Sequence, residues 1–336
     1  MHPVAFTIPG IDLPIFSYGM MLALSLIVGW NIVMRLGPKD GLPKDKLMGC
    51  FVVTAVAALL GSRLLYVVTN PSLFRGAGLG ALLDPRGGGI VAYGGFLGGF
   101  LGSWIYLKRA RIRLLPWADI VVPTLATGLG ITRIGCFLYG CDYGRPIPAD
   151  APSFVRALGV RFPNWDVQLA DLKHRLAESF FGSAGQLDGA PAFLHHASAG
   201  LVKATEAWSL PVYPTQLMEV LNGWIAFAIT MIVRRRTRFR GQVFLVFTMY
   251  YGATRALMEL LRGDVGRGGL GALSTSQIIG ITTLIAAGIA YYVLSKRAAL
   301  DPIGAMALGP GASLETSPGK PSPRPSPGGR GGKKRR

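Results

Sequence analysis

Seven runs of roughly 20 apolar residues decide what this chain can become. They lie at 15–34, 48–68, 89–107, 117–139, 215–233, 242–261 and 274–295. The hydrocarbon core of a bilayer takes about 20 apolar residues per helix. Backbone inside it must satisfy its own hydrogen bonds, which a helix does segment by segment. The runs therefore predict an all-α polytopic membrane protein with seven transmembrane helices. Composition agrees, with 15% charged residues, 50% hydrophobic residues and a mean hydropathy of +0.40, against about 25% charge in soluble domains. The first run is read as a span rather than a leader, since no basic segment precedes it and no A-x-A site follows.

The net charge of +18 does not signal nucleic acid, because its position argues otherwise. Basic residues gather between and after apolar runs: Arg35, Lys39, Lys44 and Lys46 after the first, KRARIR (108–113) after the third, RRRTRFRG (234–241) after the fifth, Lys296 and Arg297 after the last. All four groups fall on one side of a seven-span chain. The positive-inside rule makes that side cytoplasmic, the N-terminus external and the C-terminus cytoplasmic. Residues 1–144 then hold the first four spans, 145–212 form a small extracytoplasmic cap, 213–297 hold the last three spans, and 298–336 are a disordered basic tail, too rich in Pro, Gly and Ser to bury a core. Within the cap, Leu169, Leu172, Leu176 and Phe180 have helical spacing over 166–180.

Ionisable residues inside spans are costly and usually paired or functional. Arg63, Arg133, Glu219, Arg255, Glu259 and Arg262 all fall in the outer half, while Asp119 sits at the inner edge of the fourth span. Arg255 and Glu259, four apart, share a helix face. The set predicts a polar, net-positive cavity at headgroup depth. Guanidinium groups bind phosphate bidentately, so a phospholipid is the expected ligand. The third span carries GGFLGGFLG (94–102), with G-x-x-x-G spacing at Gly94/Gly98 and Gly95/Gly99 that suits close helix packing.

The fourth span ends in RIGCFLYGCDYG (133–144), which holds Cys136 and Cys141, two of three cysteines. Zinc is disfavoured, since two cysteines without a nearby histidine are an incomplete ligand set. A disulfide on an oxidising face and two inert small residues both stay open. The histidines His2, His174, His195 and His196 lie outside the spans and read as solvated.

The residues that carry these features resemble the prolipoprotein diacylglyceryl transferase family over about 10–295. The family signature G-R-x-G-N-F-x-N-G-E-x-x-G is similar to TRIGCFLYGCDYG (132–144). Further stretches match in order: SYGMML (17–22), GSRLLYV (61–67), YGGFLGG (93–99), YPTQLMEV (213–220), YGATRALMELLR (251–262) and TSQIIG (275–280). The chain departs from the family at Tyr93 and Tyr213, where histidines stand, at Cys136 and Tyr139 in place of asparagines, and at Cys141 in place of glutamate. The resemblance implies a multi-pass enzyme of the bacterial inner membrane. It would move a diacylglyceryl group from phosphatidylglycerol to the cysteine thiol of a prolipoprotein signal-peptide segment, without a cofactor or metal. It implies catalytic roles for Tyr93, Arg133, Tyr251, Arg255 and Glu259, and substrate binding by Tyr18, Arg63, Gly94, Gly95, Arg133, Gly144, Gln216 and Glu219. Tyrosine titrates near pH 10, so Tyr93 would orient or relay rather than act as a ready base. A non-catalytic phospholipid-binding relative is the rival reading. A transporter is less favoured, because no internal repeat with broken helices is seen.

Overall fold

The computed structural model describes residues 1–8, 13–74, 91–177, 189–263, 269–270 and 273–297. The basic tail and Phe180 lie outside these residues. Among the described residues there are seven helices of 18 residues or more: α1 (Ser17–Leu36), α2 (Lys44–Thr69), α3 (Ala92–Arg109), α4 (Leu114–Tyr139), α5 (Thr215–Arg235), α6 (Gln242–Glu259) and α7 (Thr275–Arg297). Each overlies one of the expected apolar runs, with ends shifted by a few residues. Five of these segments are long and apolar enough to cross a membrane: Ser17–Asp40, Lys44–Thr69, Leu114–Tyr139, Thr215–Arg235 and Thr275–Lys296. The other two, α3 and α6, have 18 residues each, or about 27 Å of helix. The first dilutes its apolar content with five glycines and the second carries Arg255 and Glu259. Large apolar side chains such as Leu64, Phe96, Leu221, Leu257 and Ile289 point outward and stay exposed, as lipid-facing residues do.

The helices pack in pairs: α2 with α3, α1 with α4, α6 with α7, and α5 with both α4 and α6. The α2–α3 pair is the closest in backbone terms. A methyl group built on Gly61 or Gly94 would strike the other's carbonyl oxygen, and one on Gly98 would strike the Ala57 carbonyl. The glycines of α3 are thus spent on backbone approach, the use small residues have inside membranes. Gly95 and Gly99 also face α2, at ordinary contact distances from Ala58 and Ser62, and from Ala58 and Thr54.

One end of the bundle is tied by apolar and polar contacts together. Leu36, Leu42, Leu47, Leu107, Ile112, Trp117 and Ile120 form one buried cluster. Beside it Asp40 accepts from Arg234 at 2.5 Å. Asp119 accepts from the backbone N–H groups of Gly241 (2.7 Å) and Phe244 (2.9 Å). Those N–H groups belong to the start of α6, where helix donors lack intrahelical partners and negative charge is favoured. The basic segments after α1, α3 and α5 therefore meet at this end.

The opposite end carries the cap. Its core is Tyr143, Phe162, Trp165, Ala190, Ala192, Phe193, Val202 and Val212, packed against Val4, Phe16 and Tyr139. The N-terminal residues join it through an antiparallel hairpin, β1 (Val4–Ile8) with β2 (Leu13–Phe16), which an all-α expectation omits. The helix expected over 166–180 is broken: Trp165–Gln168 and Ala170–Ala177 are separate helices. Asn164 caps the first, its side chain accepting from the Asp166 N–H. Leu169 and Leu172 still pack on the cap core. His196 is not a solvated residue. It is fully buried, and burial, then His195, lowers its pKa.

The glycine contact yields a direct test. Gly98→Leu is expected to cost about 1–3 kcal/mol, the usual penalty of overpacking. Gly128→Ala, where a Cβ meets nothing within 4 Å, should be neutral or stabilising. Thermal unfolding midpoints of the purified protein in detergent would show the difference, and equal midpoints would contradict it.

Candidate functional site

The site lies where the α4 terminus meets the cap. Gly140 closes α4 with φ +83°, and its N–H bonds the Cys136 carbonyl. That left-handed turn, open to glycine at no steric cost, reverses the chain so that Asp142 faces back toward Arg133. Asp142 itself sits at φ +56°, a conformation asparagine and aspartate tolerate better than most residues. Its backbone carbonyl accepts from Thr215 Oγ1 at 2.9 Å, and the Cys141 carbonyl accepts from Gln216 Nε2 at 2.8 Å. The first turn of α5 thus fixes the signature turn. Farther on, Gly144 forms a bridge with Arg262, Arg145 N–H bonds Leu261 O (2.8 Å), and Gly263 N–H bonds Tyr143 O (3.0 Å). Gly144 is required by contact, since a Cβ there would run into the Tyr213 carbonyl.

Within this frame Arg133 is held by two carboxylates: Nη1 pairs with Asp142 Oδ2, and Nε pairs with Glu219 Oε2. Asp142 Oδ1 pairs with Arg262 Nη2, so one carboxylate bridges two guanidinium groups. Arg255 Nη1 lies 2.8 Å from Glu259 Oε2, and its Nη2 donates to Ser276 Oγ at 3.0 Å. The cluster thus contains Arg133, Arg255 and Arg262 with Asp142, Glu219 and Glu259. The sequence led to an expectation of net-positive charge, but these six side chains balance in formal charge. Burial without partners would be prohibitive for a guanidinium, which is the physical reason for the match. Asp142 has its pKa set by opposing effects: burial raises it, while Arg133 and Arg262 lower it further, to about 2.

Three phenols surround the cluster. Tyr251 is within electrostatic reach of Arg133, Glu219, Arg255 and Tyr93. Tyr18 is in reach of Arg133, Cys136, Cys141 and Asp142, and packs over Gly135, where a Cβ would come within 3.2 Å of it. Tyr93 stands in the first turn of α3, half-exposed. Arg63 stacks elsewhere, with its guanidinium carbon 5.6 Å from the Tyr66 ring centroid and 5.3 Å from that of Phe74. Gly94 and Gly95 face α2 rather than the arginines. Gln216 is fully buried, and its Oε1 has no hydrogen-bond partner among the described residues.

Asp142 and Thr215 join the site beyond the sequence expectation, and Arg262 pairs with Asp142 there. A signal for Asp142 was present, since it is the only carboxylate in the 132–144 stretch. His195 and His196 also come close: their rings lie 5.9 and 6.1 Å from that of Tyr143, the neighbour of Asp142.

Long apolar helices with a charge-balanced arginine cluster at one end are the features of a multi-pass membrane protein. Residues 3–294 match the family described as prolipoprotein diacylglyceryl transferase. The chain belongs to that family. It is similar to the phosphatidylglycerol–prolipoprotein diacylglyceryl transferase of Clostridium tetani, 29% identical over 292 residues, covering 85% of this chain and 94% of that one. A second such transferase from Clostridium perfringens is 30% identical over 291 residues, covering 84% and 92%. The Finegoldia magna protein of the same name is 26% identical over 298 residues, covering 88% and 97%.

The charge bridge at Asp142 predicts a pH signature. Its folded pKa of about 2 lies below the unfolded reference near 3.9. The stability it contributes, about 2–3 kcal/mol by linkage, is complete above about pH 5 and is lost as pH falls through 2. Asp142→Asn should therefore be less stable than the parent at pH 6, with the gap closing toward pH 2. A gap that stays constant between pH 6 and 2 would contradict the assignment.

Proposed function

We propose that this chain transfers the diacylglyceryl group of phosphatidylglycerol to the cysteine thiol of a prolipoprotein signal-peptide segment. The observation that carries the reading is Arg133, half-buried near the end of α4 between Asp142 and Glu219 in a member of this family. In this reading all seven long helices cross the bacterial inner membrane, with the N-terminus and cap outside and the C-terminus in the cytoplasm. The meeting of the basic segments at the end opposite the cap supports that orientation.

The substrate thiol loses its proton to water, and the sulfur lone pair attacks the lipid glycerol carbon that bears the phosphate. The carbon–oxygen bond breaks, and its electrons stay on the phosphate oxygen of departing glycerol phosphate. One negative charge thus moves from sulfur to phosphate. Positive groups placed where charge develops lower the barrier without needing a proton donor. Arg133 and Arg255 take that role. The lipid phosphate exchanges for a carboxylate on Arg133, and Asp142 keeps its second oxygen on Arg262. Nearby guanidinium charge also raises the thiolate fraction of the substrate cysteine. Glu259 orients Arg255. Tyr18, Tyr93 and Tyr251 orient headgroup oxygens, with Tyr93 in the slot of the family histidine. Gln216 and Glu219 fix the signature turn and Arg133, and the open acceptor of Gln216 suits a glycerol hydroxyl. Arg63 holds the outer part of the lipid, and Gly94, Gly95 and Gly144 let the surrounding backbones pack closely on one another.

Three experiments test this. Arg133→Ala is expected to abolish transfer in a reconstituted assay with phosphatidylglycerol and a lipobox peptide, a loss of at least about 100-fold. Unchanged turnover would refute its role. Expression of the chain in cells depleted of their own transferase should restore growth. Failure of a membrane-inserted protein to complement would favour the non-catalytic reading. Tyr93→Phe should lower turnover while leaving the thermal midpoint unchanged.

A further inference from the structure

We propose that Cys136 and Cys141 form a reversible disulfide that sets how Asp142 holds Arg133. The control of turnover rests on the transfer reaction proposed above; the bond itself does not.

Both cysteines are free in this structure, Cys136 buried and Cys141 half-buried. In an uninterrupted helix a five-residue offset puts two side chains on different faces. Here Gly140 ends the helix, and the Cys141 N–H folds back onto the Cys136 carbonyl at 3.2 Å. The two sulfurs and an Asp142 carboxylate oxygen all lie within 4.8 Å of one another. Cys136 Sγ donates to Asp142 Oδ2 at 3.4 Å, and Arg133 Nη1 lies 3.7 Å from the same sulfur. The thiol pair therefore touches the charge cluster directly.

A divalent cation would use the same three residues, but the surroundings oppose it. Both Asp142 oxygens already serve guanidinium groups. Two fixed cations at the site repel a third, and three donors fall short of a closed thiolate site. Two neighbouring thiols on a turn, one reachable and one buried, are instead the arrangement of a dithiol that exchanges with disulfides.

The step balances as follows. Cys141, the more accessible thiol, loses its proton and attacks an incoming protein or glutathione disulfide, releasing one thiol. Cys136 then loses its proton and attacks the Cys141 sulfur, releasing the second. The site dithiol is oxidised and the incoming disulfide is reduced to two thiols. A disulfide needs about 2.05 Å between sulfurs, so the 136–142 turn tightens. Cys136 ceases to donate to Asp142, and Asp142, next in sequence to Cys141, shifts against Arg133. A displacement of about 1 Å at a reacting centre can cost about 100-fold in rate.

The full-length protein in nanodiscs would be equilibrated in glutathione buffers from fully reduced to fully oxidised, denatured in the presence of N-ethylmaleimide so that buried thiols react, and read by peptide mass. The expected oxidised state carries one alkylated cysteine, Cys50, and a cross-linked 136–141 pair two mass units lighter than the dithiol. Cys141→Ser should form no such bond and leave Cys136 to be alkylated. Transfer should fall at least about tenfold in the oxidised state and recover with dithiothreitol. Turnover of Cys141→Ser should not respond to the buffer. Alkylation of both Cys136 and Cys141 in excess oxidised glutathione would overturn the bond. A formed bond with unchanged turnover would overturn its control of Arg133, and zinc retained stoichiometrically after dialysis would overturn the dithiol assignment. The mass measurement reads the bond even in a protein without transfer activity, so failure of the functional reading is separable.

Discussion

A guanidinium group largely withdrawn from water near the end of an apolar helix needs negative partners, and the arrangement around Arg133 follows from that requirement. Asp142 and Glu219 come from different parts of the chain, one from the turn after α4 and one from α5. To bring them together, α4 must stop at Gly140, the signature must fold back, and the first turn of α5 must hold that turn through Thr215 and Gln216. Arg262, beyond α6, completes the bridge through Asp142. The ion pairs thus join the ends of three helices that are also linked by polar contacts, Asn222 with Tyr250 and Thr254 among them.

This balance has a chemical consequence. A pocket with unopposed arginines would bind any anion and would be costly to fold. In the proposed reading a pocket whose arginines already hold carboxylates binds a phosphate by exchange, so phosphate affinity is a difference between two strong interactions. Asp142 is suited to that exchange because its other oxygen remains anchored on Arg262 when Arg133 is released. Its low pKa keeps it charged through any physiological range, so the exchange does not depend on its protonation.

Much of the scaffold was legible in the sequence, because apolar runs and basic segments are local signals. All seven long helices overlie predicted runs, and the same-face pair at Arg255 and Glu259 forms. Contacts between distant segments were less legible. Asp142 and Arg262 are 120 positions apart, and no periodicity announces their pairing. The hairpin of residues 4–16 escaped notice because its second strand runs directly into the first apolar helix. His196 looked solvated because it lies outside the spans, yet the cap has its own core. The departures at Tyr93, Cys136, Tyr139 and Cys141 read as losses from a family pattern. In three dimensions a carboxylate returns one position later, at Asp142, and the two cysteines stand beside it.

The central claim is that Arg133 exchanges a protein carboxylate for a lipid phosphate. A structure of the protein in nanodiscs containing phosphatidylglycerol measures this directly. The account predicts a phosphate within hydrogen-bond distance of Arg133, with the Arg133–Asp142 or Arg133–Glu219 pair opened and Asp142 still on Arg262. Phosphatidylglycerol bound elsewhere, with both Arg133 pairs intact, would contradict it.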